Sequence, residues 1–373
     1  MSGGLYVHYP YCEHRCTYCD FALTTPRQAP AERFTSALVR ELALRAPAAP
    51  GPYRTFYVGG GTPSLWPVPA FARFLASVRA GAGLVADAEI TLEANPEQVT
   101  DAWLEGVLAL GVNRISLGVQ ALDEAHLAQL ERRHGRAGAE AALDRLASAH
   151  ARGALASFSV DLIYGLAGQT VPTWQAALDS LVQRSSPPHL SLYMLTIEPR
   201  TVLARRIRDG RAPQPDDGLQ IDMLFAARDR LATYGYAHYE VSSWARPGHV
   251  ARHNAAYWEM RPYLGLGAGA HGFWGGTRWR NEPRPSVYLS RVEAGEEPSA
   301  EREHPDAATL AFERVMTGLR RLDLGLALGP DEARFAAAVA SELARGRLER
   351  VADRIRLTAL GLQMMDDVLL SFA

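Results

Sequence analysis

Between Leu5 and about Leu195 the chain alternates short runs of β-branched and aromatic residues with longer stretches whose apolar positions repeat at helical spacing. The short runs predict strands over Leu5 to Tyr9, Thr55 to Val58, Glu89 to Glu93, Arg114 to Leu117, Ser157 to Ile163 and Leu190 to Leu195. The helical patterns between them cover Ala31 to Arg45, Val68 to Arg79, Asp101 to Leu110, Gly138 to Arg152 and Thr173 to Arg184. Six βα units predict a parallel sheet, because each helix has to carry the chain back before the next strand pairs alongside. The expected fold class is therefore α/β, with the strands curling into a partial (β/α)6 barrel.

After about Pro199 the rhythm changes. One amphipathic helix is expected over Gly218 to Tyr234, followed by a stretch rich in glycine, aromatics and histidine from Gly235 to Trp279. Two helical segments, Pro305 to Leu322 and Pro330 to Arg345, then precede a short hairpin over Arg347 to Leu357. This order predicts a core over 1–200, a barrel-closing segment over 201–300 and a mostly helical, winged-helix-like module over 301–373. Winged helices often meet DNA, but no basic stripe marks this one, so a lid or docking role is expected instead.

Composition narrows the class without naming it. At 373 residues and 47% hydrophobic content the chain can bury a full core. No apolar run is long enough to span a bilayer, and the first residues lack the basic-then-apolar order of a signal peptide, so a cytoplasmic protein that is not an integral membrane protein is expected. A net charge of -2 from well-mixed signs speaks against nucleic acid as a partner. All 39 basic residues are arginine, so Schiff-base, pyridoxal phosphate and P-loop chemistry are excluded for want of a lysine.

The residues with chemical potential sit where predicted strands end. Cys12-Glu-His-Arg-Cys16-Thr-Tyr-Cys19, which holds the only three cysteines of the chain, follows the first strand. Gly59-Gly60-Gly61-Thr62-Pro63 follows the second, Glu93-Ala-Asn95-Pro96 ends the third, Gly118-Val-Gln120 ends the fourth, and Asp161 to Gly165 closes the fifth. Such C-terminal strand ends converge on one mouth of a parallel barrel, where ligands bind. Three thiolates on one short loop suit three irons of a 4Fe-4S cluster and leave the fourth iron open. A disulfide would strand one thiol, and a Cys3His zinc site would have to recruit His8 or His14.

This Cys-x3-Cys-x2-Cys loop resembles that of the radical S-adenosylmethionine (SAM) superfamily. The resemblance implies that Cys12, Cys16 and Cys19 ligate the cluster and that the open iron chelates the amino and carboxylate groups of SAM. It also implies that Tyr18 packs over the adenine, that Tyr6 contacts SAM, and that Gly60, Gly61 and Thr62 belong to the loop receiving the amino group on backbone carbonyls. Glu93 and Gln120 are then placed for the ribose hydroxyls, Arg132 for the ligand carboxylate through its planar fork, and Asp161 for a further hydroxyl.

Over nearly its whole length the chain is similar to the oxygen-independent coproporphyrinogen III oxidase group, through these residues, Leu5-Tyr6-Val7-His8 and Gly265-Leu-Gly267-Ala-Gly269-Ala-His271. It departs from the oxidases at Phe21, where they carry a further cysteine, and in the short lead before Cys12. His253-Asn254-Ala-Ala-Tyr257-Trp258 looks like the motif of the HemW-type haem chaperones. That resemblance implies haem ligation by His253, packing by Tyr257 and Trp258, an imidazole oriented by Asn254, and transfer of haem to apoproteins, respiratory enzymes among them. It further implies a reductant for the cluster. His249 and His271 remain rival ligands, and an oxidase that decarboxylates coproporphyrinogen III remains the alternative activity.

Overall fold

A computed structural model describes residues 3–373 of the chain. Strands β1 (Gly4–Tyr9), β2 (Tyr53–Gly60), β3 (Leu84–Ala94), β4 (Arg114–Gln120), β5 (Ser157–Tyr164) and β6 (His189–Met194) follow one another in spatial order, and every adjacent pair is parallel. All six predicted strands are present. β2 runs two residues further than expected because Gly60 still pairs with Tyr9, and β4 runs to Gln120 across a bulge at Gly118.

The inner and outer faces of these strands differ sharply in chemistry. One alternation set, which includes Leu5, Val7, Phe56, Val58, Ile90, Leu92, Ile115, Leu117, Phe158, Val160, Leu190 and Leu192, is buried in a single apolar core. Helices Ala31–Arg45, Val68–Ala80, Asp101–Ala109, Gly135–Ala151 and Val171–Ser185 cover it with Phe34, Leu38, Phe74, Val107, Leu146 and Leu178. Each fully buried side chain of this kind contributes roughly 1.5–3 kcal/mol. The other set, Tyr6, His8, Thr55, Tyr57, Glu89, Thr91, Glu93, Ser116, Ser159, Asp161, His189 and Ser191, is polar and faces the lumen, since successive residues of a strand point to opposite faces. Helix starts are set by side-chain caps, among them Thr100, which accepts from Trp103 N–H, and Asp216, which accepts from Leu219 N–H.

Strands from the middle of the chain flank the parallel core on both edges. β7 (Ala237–Glu240) and β8 (Ser243–Ala245) add antiparallel strands beside β6. β9 (Tyr263–Leu266) lies parallel to β1, and β10 (His271–Trp274), β11 (Thr277–Asn281) and β12 (Ser299–Glu303) continue antiparallel from it. The resulting twelve-stranded sheet ends in β12 on one side and β7 on the other, so the barrel is open. Helix Arg252–Trp258 crosses the N-terminal end of the lumen, where the Arg252 and His253 N–H groups donate to the Glu89 carboxylate at 3.0 and 2.9 Å.

The C-terminal module has an apolar core of its own, including Val315, Leu319, Phe335, Val339, Ile355 and Val368. Helices Ala307–Gly318 and Glu332–Ala344 are followed by the antiparallel pair β13 (Leu348–Val351) and β14 (Arg354–Leu357), the helix, helix and hairpin order of the sequence pattern. Among the described residues no helix is long and apolar enough to cross a membrane.

The glycine-rich segment after β9 has a packing function. Gly267 adopts φ +98°, and a Cβ there would lie 2.4 Å from the His8 carbonyl oxygen. Its N–H donates to fully buried Glu41 at 2.9 Å, and Glu41 also accepts from Asn281, Tyr288 and Arg45. One carboxylate thus ties the first helix to the β9–β10 loop and to β11. Removing one partner of such a network leaves a buried charge uncompensated, so Glu41→Ala is expected to cost about 3 kcal/mol, read as a lowered thermal midpoint; an unchanged midpoint would show that the network is dispensable.

Candidate functional site

The cysteine loop leaves β1 and folds back under the strand ends. Cys12 N–H bonds to the Thr24 carbonyl at 3.0 Å, and Cys19 N–H to the Cys16 carbonyl at 3.2 Å. All three thiols are free, with Cys12 buried and the other two partly open. The sulfurs already have donors aimed at them: Thr62 Oγ1 donates to Cys12 Sγ at 3.1 Å, and Arg132 Nη1 approaches Cys16 Sγ at 3.6 Å. Burial pushes the Cys12 thiol up to about 11, partly offset by the Thr62 hydrogen bond, so the thiolate needs the positive charge of bound iron to persist. Among the described residues no three His, Cys, Asp or Glu side chains converge on one metal ion, and three irons at separate corners of a cuboid do not require them to. Donors to two sulfurs, a hydroxyl on one and a guanidinium on the other, fit a cluster of this kind.

The glycine run is built for close approach. A Cβ on Gly59 would meet Tyr57 and Glu93 within 2.9 Å, one on Gly60 would meet the His8 ring at 2.7 Å, and one on Gly61 would meet the Tyr11 carbonyl oxygen at 2.8 Å. Gly60 also has φ +114°, which side chains rarely adopt. Three successive positions closed to any side chain are more than a tight turn requires.

Facing this loop are two half-buried carboxyls that lack an ion-pair partner. Glu93 accepts from Tyr57 Oη at 2.6 Å and from Gly60 N–H at 3.0 Å, while burial pushes its carboxyl up to about 7. Asp161 accepts from Ser116 Oγ at 2.8 Å and Ser159 Oγ at 2.9 Å, and burial raises it as well. Gln120 ends β4 in the left-handed region, at φ 69°, and its amide folds back over Gly118. Arg132 Nη2 donates to Asn95 Oδ1 and to the Gly118 carbonyl, each at 2.7 Å, so its fork is anchored between the strand ends and the cysteine loop, with Nε buried and unpartnered. Tyr18 packs with Leu127, Leu130, Leu166 and Leu195 beside the same mouth.

His253 lies at the opposite end of the lumen from the cysteines. Its Nδ1 hydrogen bonds to Thr55 Oγ1 at 2.7 Å and its Nε2 to Tyr257 Oη at 2.8 Å, and the ring stacks on Tyr57 at 5.0 Å. Tyr6 stacks on both, at 6.2 Å from Tyr57 and 6.4 Å from His253. The expectation that Asn254 orients the imidazole is corrected: Thr55 and Tyr257 hold both ring nitrogens. Burial lowers the His253 imidazole to about 3, so the ring is neutral. Trp258 faces the C-terminal module, with the Arg320 guanidinium 5.5 Å from its ring. His249 bonds to Ser157 Oγ at 3.1 Å near the lumen floor, and His271 stands exposed on β10.

The radical SAM superfamily model matches residues 6–181. A protein from Mycobacterium tuberculosis named "Heme chaperone HemW" is 39% identical over 98% of this chain and 93% of its own length. The Escherichia coli protein of the same name is 40% identical over 72% of this chain and 69% of its own. The chain belongs to the HemW family of radical SAM proteins. Membership of the superfamily implies a 4Fe-4S cluster and SAM. The E. coli coproporphyrinogen III oxidase HemN, also a radical SAM enzyme, superposes with TM-score 0.82 at 24% identity, covering 100% of this chain and 90% of that one, and so shares the fold.

Several residues of the site went unread in the sequence: Tyr57, which holds Glu93; Thr55, which holds His253; and the serines around Asp161; Asn95 stands at the strand end named above, but its bond to Arg132 was not foreseen. The available signal was the inward alternation set of each strand, where Glu89-Thr91-Glu93 and Ser157-Ser159-Asp161 are polar at every second position.

Glu93 gives this family member a pH signature. Its folded pKa stands above the unfolded value, so the unfolded chain ionises first and stability falls as pH rises from about 4.5 through 7. A shift of this size amounts to roughly 3 kcal/mol. Glu93→Gln removes the titrating group, so thermal melts of cluster-free protein from pH 5 to 8 are expected to decline less in the variant; parallel declines would refute the assignment.

Proposed function

We propose that this protein is a cytoplasmic haem chaperone that binds haem, a 4Fe-4S cluster and SAM and passes haem to apoproteins, respiratory enzymes among them. The observation that carries this reading is the extent of the likeness to a protein named as a haem chaperone, which takes in 98% of the chain and therefore the His-Asn-x-x-Tyr-Trp segment as well as the barrel. The fork with the oxidases falls at Phe21, where their further cysteine is missing.

In this reading Cys12, Cys16 and Cys19 hold three irons, and the bound, reduced cluster supplies one electron at a time. Thr62 and Arg132 lend hydrogen bonds and positive charge to the sulfurs, which tune the cluster potential. Gly60 and Gly61 would bring backbone against the SAM amino group, Glu93, Gln120 and Asp161 would take hydroxyls, Tyr18 lines the same mouth, and Tyr6 lies deeper, stacked on Tyr57 and His253. Support comes from the Cβ-free approach at the glycines and from two carboxyls that lack cationic partners, so a ligand ammonium and hydroxyls would complete their bonding.

For haem, a neutral imidazole is the form that ligates iron, and His253 is neutral throughout the working range. Iron binding exchanges one of its two hydrogen bonds, to Thr55 or to Tyr257, and helix Arg252–Trp258 has to move outward from the lumen floor to admit the macrocycle. Tyr257 and Trp258 then offer ring faces to the porphyrin, and Asn254 travels on the same helix.

Haem titration of wild type against His253→Ala tests the assignment. The variant is expected to lose the ligated Soret band and at least about tenfold in affinity, or roughly 1.4 kcal/mol, and an unchanged band and affinity would remove His253 as the ligand. Anaerobic incubation of reduced, cluster-loaded protein with SAM and coproporphyrinogen III is expected to leave the tetrapyrrole intact. Formation of protoporphyrinogen would overturn the carrier reading in favour of the oxidase.

A further inference from the structure

The floor of the lumen holds a guanidinium with no acid beside it. Arg114 is the first residue of β4 and shares the inward alternation set with Ser116, so its side chain points into the barrel. Three arginines are buried among the described residues, Arg45, Arg114 and Arg321. Arg45 is paired with Glu41 and Glu297, and Arg321 with Glu259 and Asp323. Arg114, only 3% exposed, has no carboxylate within ion-pair distance. Its Nη1 donates to Ser157 Oγ at 3.0 Å and to the His249 carbonyl at 3.2 Å, both neutral, and its Nη2 is buried without a partner. Asp161 feels this charge from further off, but its oxygens are taken by Ser116 and Ser159. A charge removed from water is ordinarily offset by a counter-ion, and the planar fork of a guanidinium matches the two oxygens of a carboxylate.

What covers this fork is the strap that leads into the haem-motif helix. The His249 carbonyl accepts from Arg114, the His249 ring bonds to Ser157 at 3.1 Å, and Ala251 N–H donates to Tyr239 Oη at 3.4 Å, one residue before helix Arg252–Trp258 begins. The field around the strap is positive. Arg246 lies over the Tyr236 ring at 4.9 Å, likewise without a carboxylate within ion-pair distance among the described residues, and its Nε is buried and unpartnered. Burial, His150 and the charges of Arg114 and Arg246 together hold the His249 imidazole below its ordinary range. The lateral separation also suits a haem. β2, whose Thr55 holds His253, lies two strand spacings from β4, about 10 Å, which is comparable with the reach of a haem from its iron to its propionate edge.

We infer that Arg114 is the receptor for a propionate of haem, uncovered when helix Arg252–Trp258 moves outward and lifts the His249 to Ala251 strap with it. This rests on the carrier reading above and adds a second anchor, so that the imidazole holds the iron at one point and the guanidinium holds a carboxylate at another. The propionate takes the place of the His249 carbonyl and also meets the Nη2 that the closed strap leaves unbonded. A porphyrin gripped at two points has a fixed orientation on the moving helix, whereas one held by His253 alone could spin about the iron bond.

The test compares haem with haem dimethyl ester, whose propionates carry no charge. Both are titrated into anaerobic, cluster-loaded wild type, Arg114→Gln, Arg114→Lys and Arg334→Gln, the last on the exposed face of the C-terminal module as a control. Wild type and Arg334→Gln are expected to bind haem at least about tenfold more tightly than the ester. Arg114→Gln is expected to bind both as wild type binds the ester, and Arg114→Lys, which keeps the charge but not the fork, to fall between. Amide exchange from Ala251 to Tyr257 is expected to quicken in haem-loaded wild type. Equal affinity of wild type for haem and ester overturns the inference while the carrier reading stands, and this arm needs no variant, so it holds even if Arg114→Gln does not fold. An undiminished preference for haem in folded Arg114→Gln overturns it too, as does unchanged exchange across the strap. Wild type that binds neither ligand removes the carrier reading and this inference together.

Discussion

The parallel strands bury both of their faces, but in different media. Helices press an apolar core onto the outer face, whereas the inner face carries hydroxyls, imidazoles and carboxyls that are buried or half-buried. Each such group costs a few kcal/mol if it is left unbonded, so the lumen has to be wired internally or completed by a ligand. At the floor it is wired: Thr55, His253, Tyr257 and Glu89 satisfy one another. At the mouth it is only partly so, because Glu93 and Asp161 are held by neutral donors and their carboxyls remain raised. The end at which these two carboxyls lack an ion-pair partner is the end that faces the cysteine loop, where Arg132 is turned to Cys16, Asn95 and Gly118 instead.

The two ends are physically joined. Glu93 accepts from Tyr57, the Tyr57 ring stacks on His253, and Tyr6 lies against both rings. A ligand that changes the charge on Glu93 therefore acts on a tyrosine stacked on the His253 imidazole. The same motif is gripped from outside by the C-terminal module, where Arg321 pairs with Glu259 at 2.8 Å and Arg320 lies over Trp258. Helix Arg252–Trp258 is thus touched by the lumen, by the sheet through Glu89, and by the module with its separate core.

The barrel was legible because its outer strand positions are so consistently apolar and because each strand end carries glycine, cysteine or an acid. The flanking strands were not, since Tyr263–Leu266 and His271–Trp274 are only four residues each and lie in a glycine-rich stretch where periodicity is lost. Their places are fixed by tertiary contacts, chiefly the docking of Gly267 on β1 and on Glu41. Among site residues, the cysteines and glycines could be read from spacing. Tyr57 and Thr55 could not, because on a strand a hydroxyl reads as ordinary β propensity until its face is known. Asn254 was given a role that motif adjacency suggested, but on a helix neighbouring residues point about 100° apart, so the partners of His253 come from i+4 and from another strand.

That geometry bears on the choice between carrier and oxidase. Stacked rings of Tyr6, Tyr57 and His253 fill the lumen floor, and Tyr257 caps them edge-on at 4.9 Å from His253 and 4.6 Å from Tyr263. No slot for a macrocycle remains between these rings, so a tetrapyrrole that meets His253 has to do so outside the barrel, on a displaced helix. An oxidase must instead bring its substrate to the strand-end mouth, within reach of chemistry started at the cluster. A histidine buried at the far end serves that purpose poorly, whereas a histidine on a short helix, held by Thr55, Tyr257 and Glu89 from within and by Arg320 over Trp258 from outside, agrees better with the carrier proposed above.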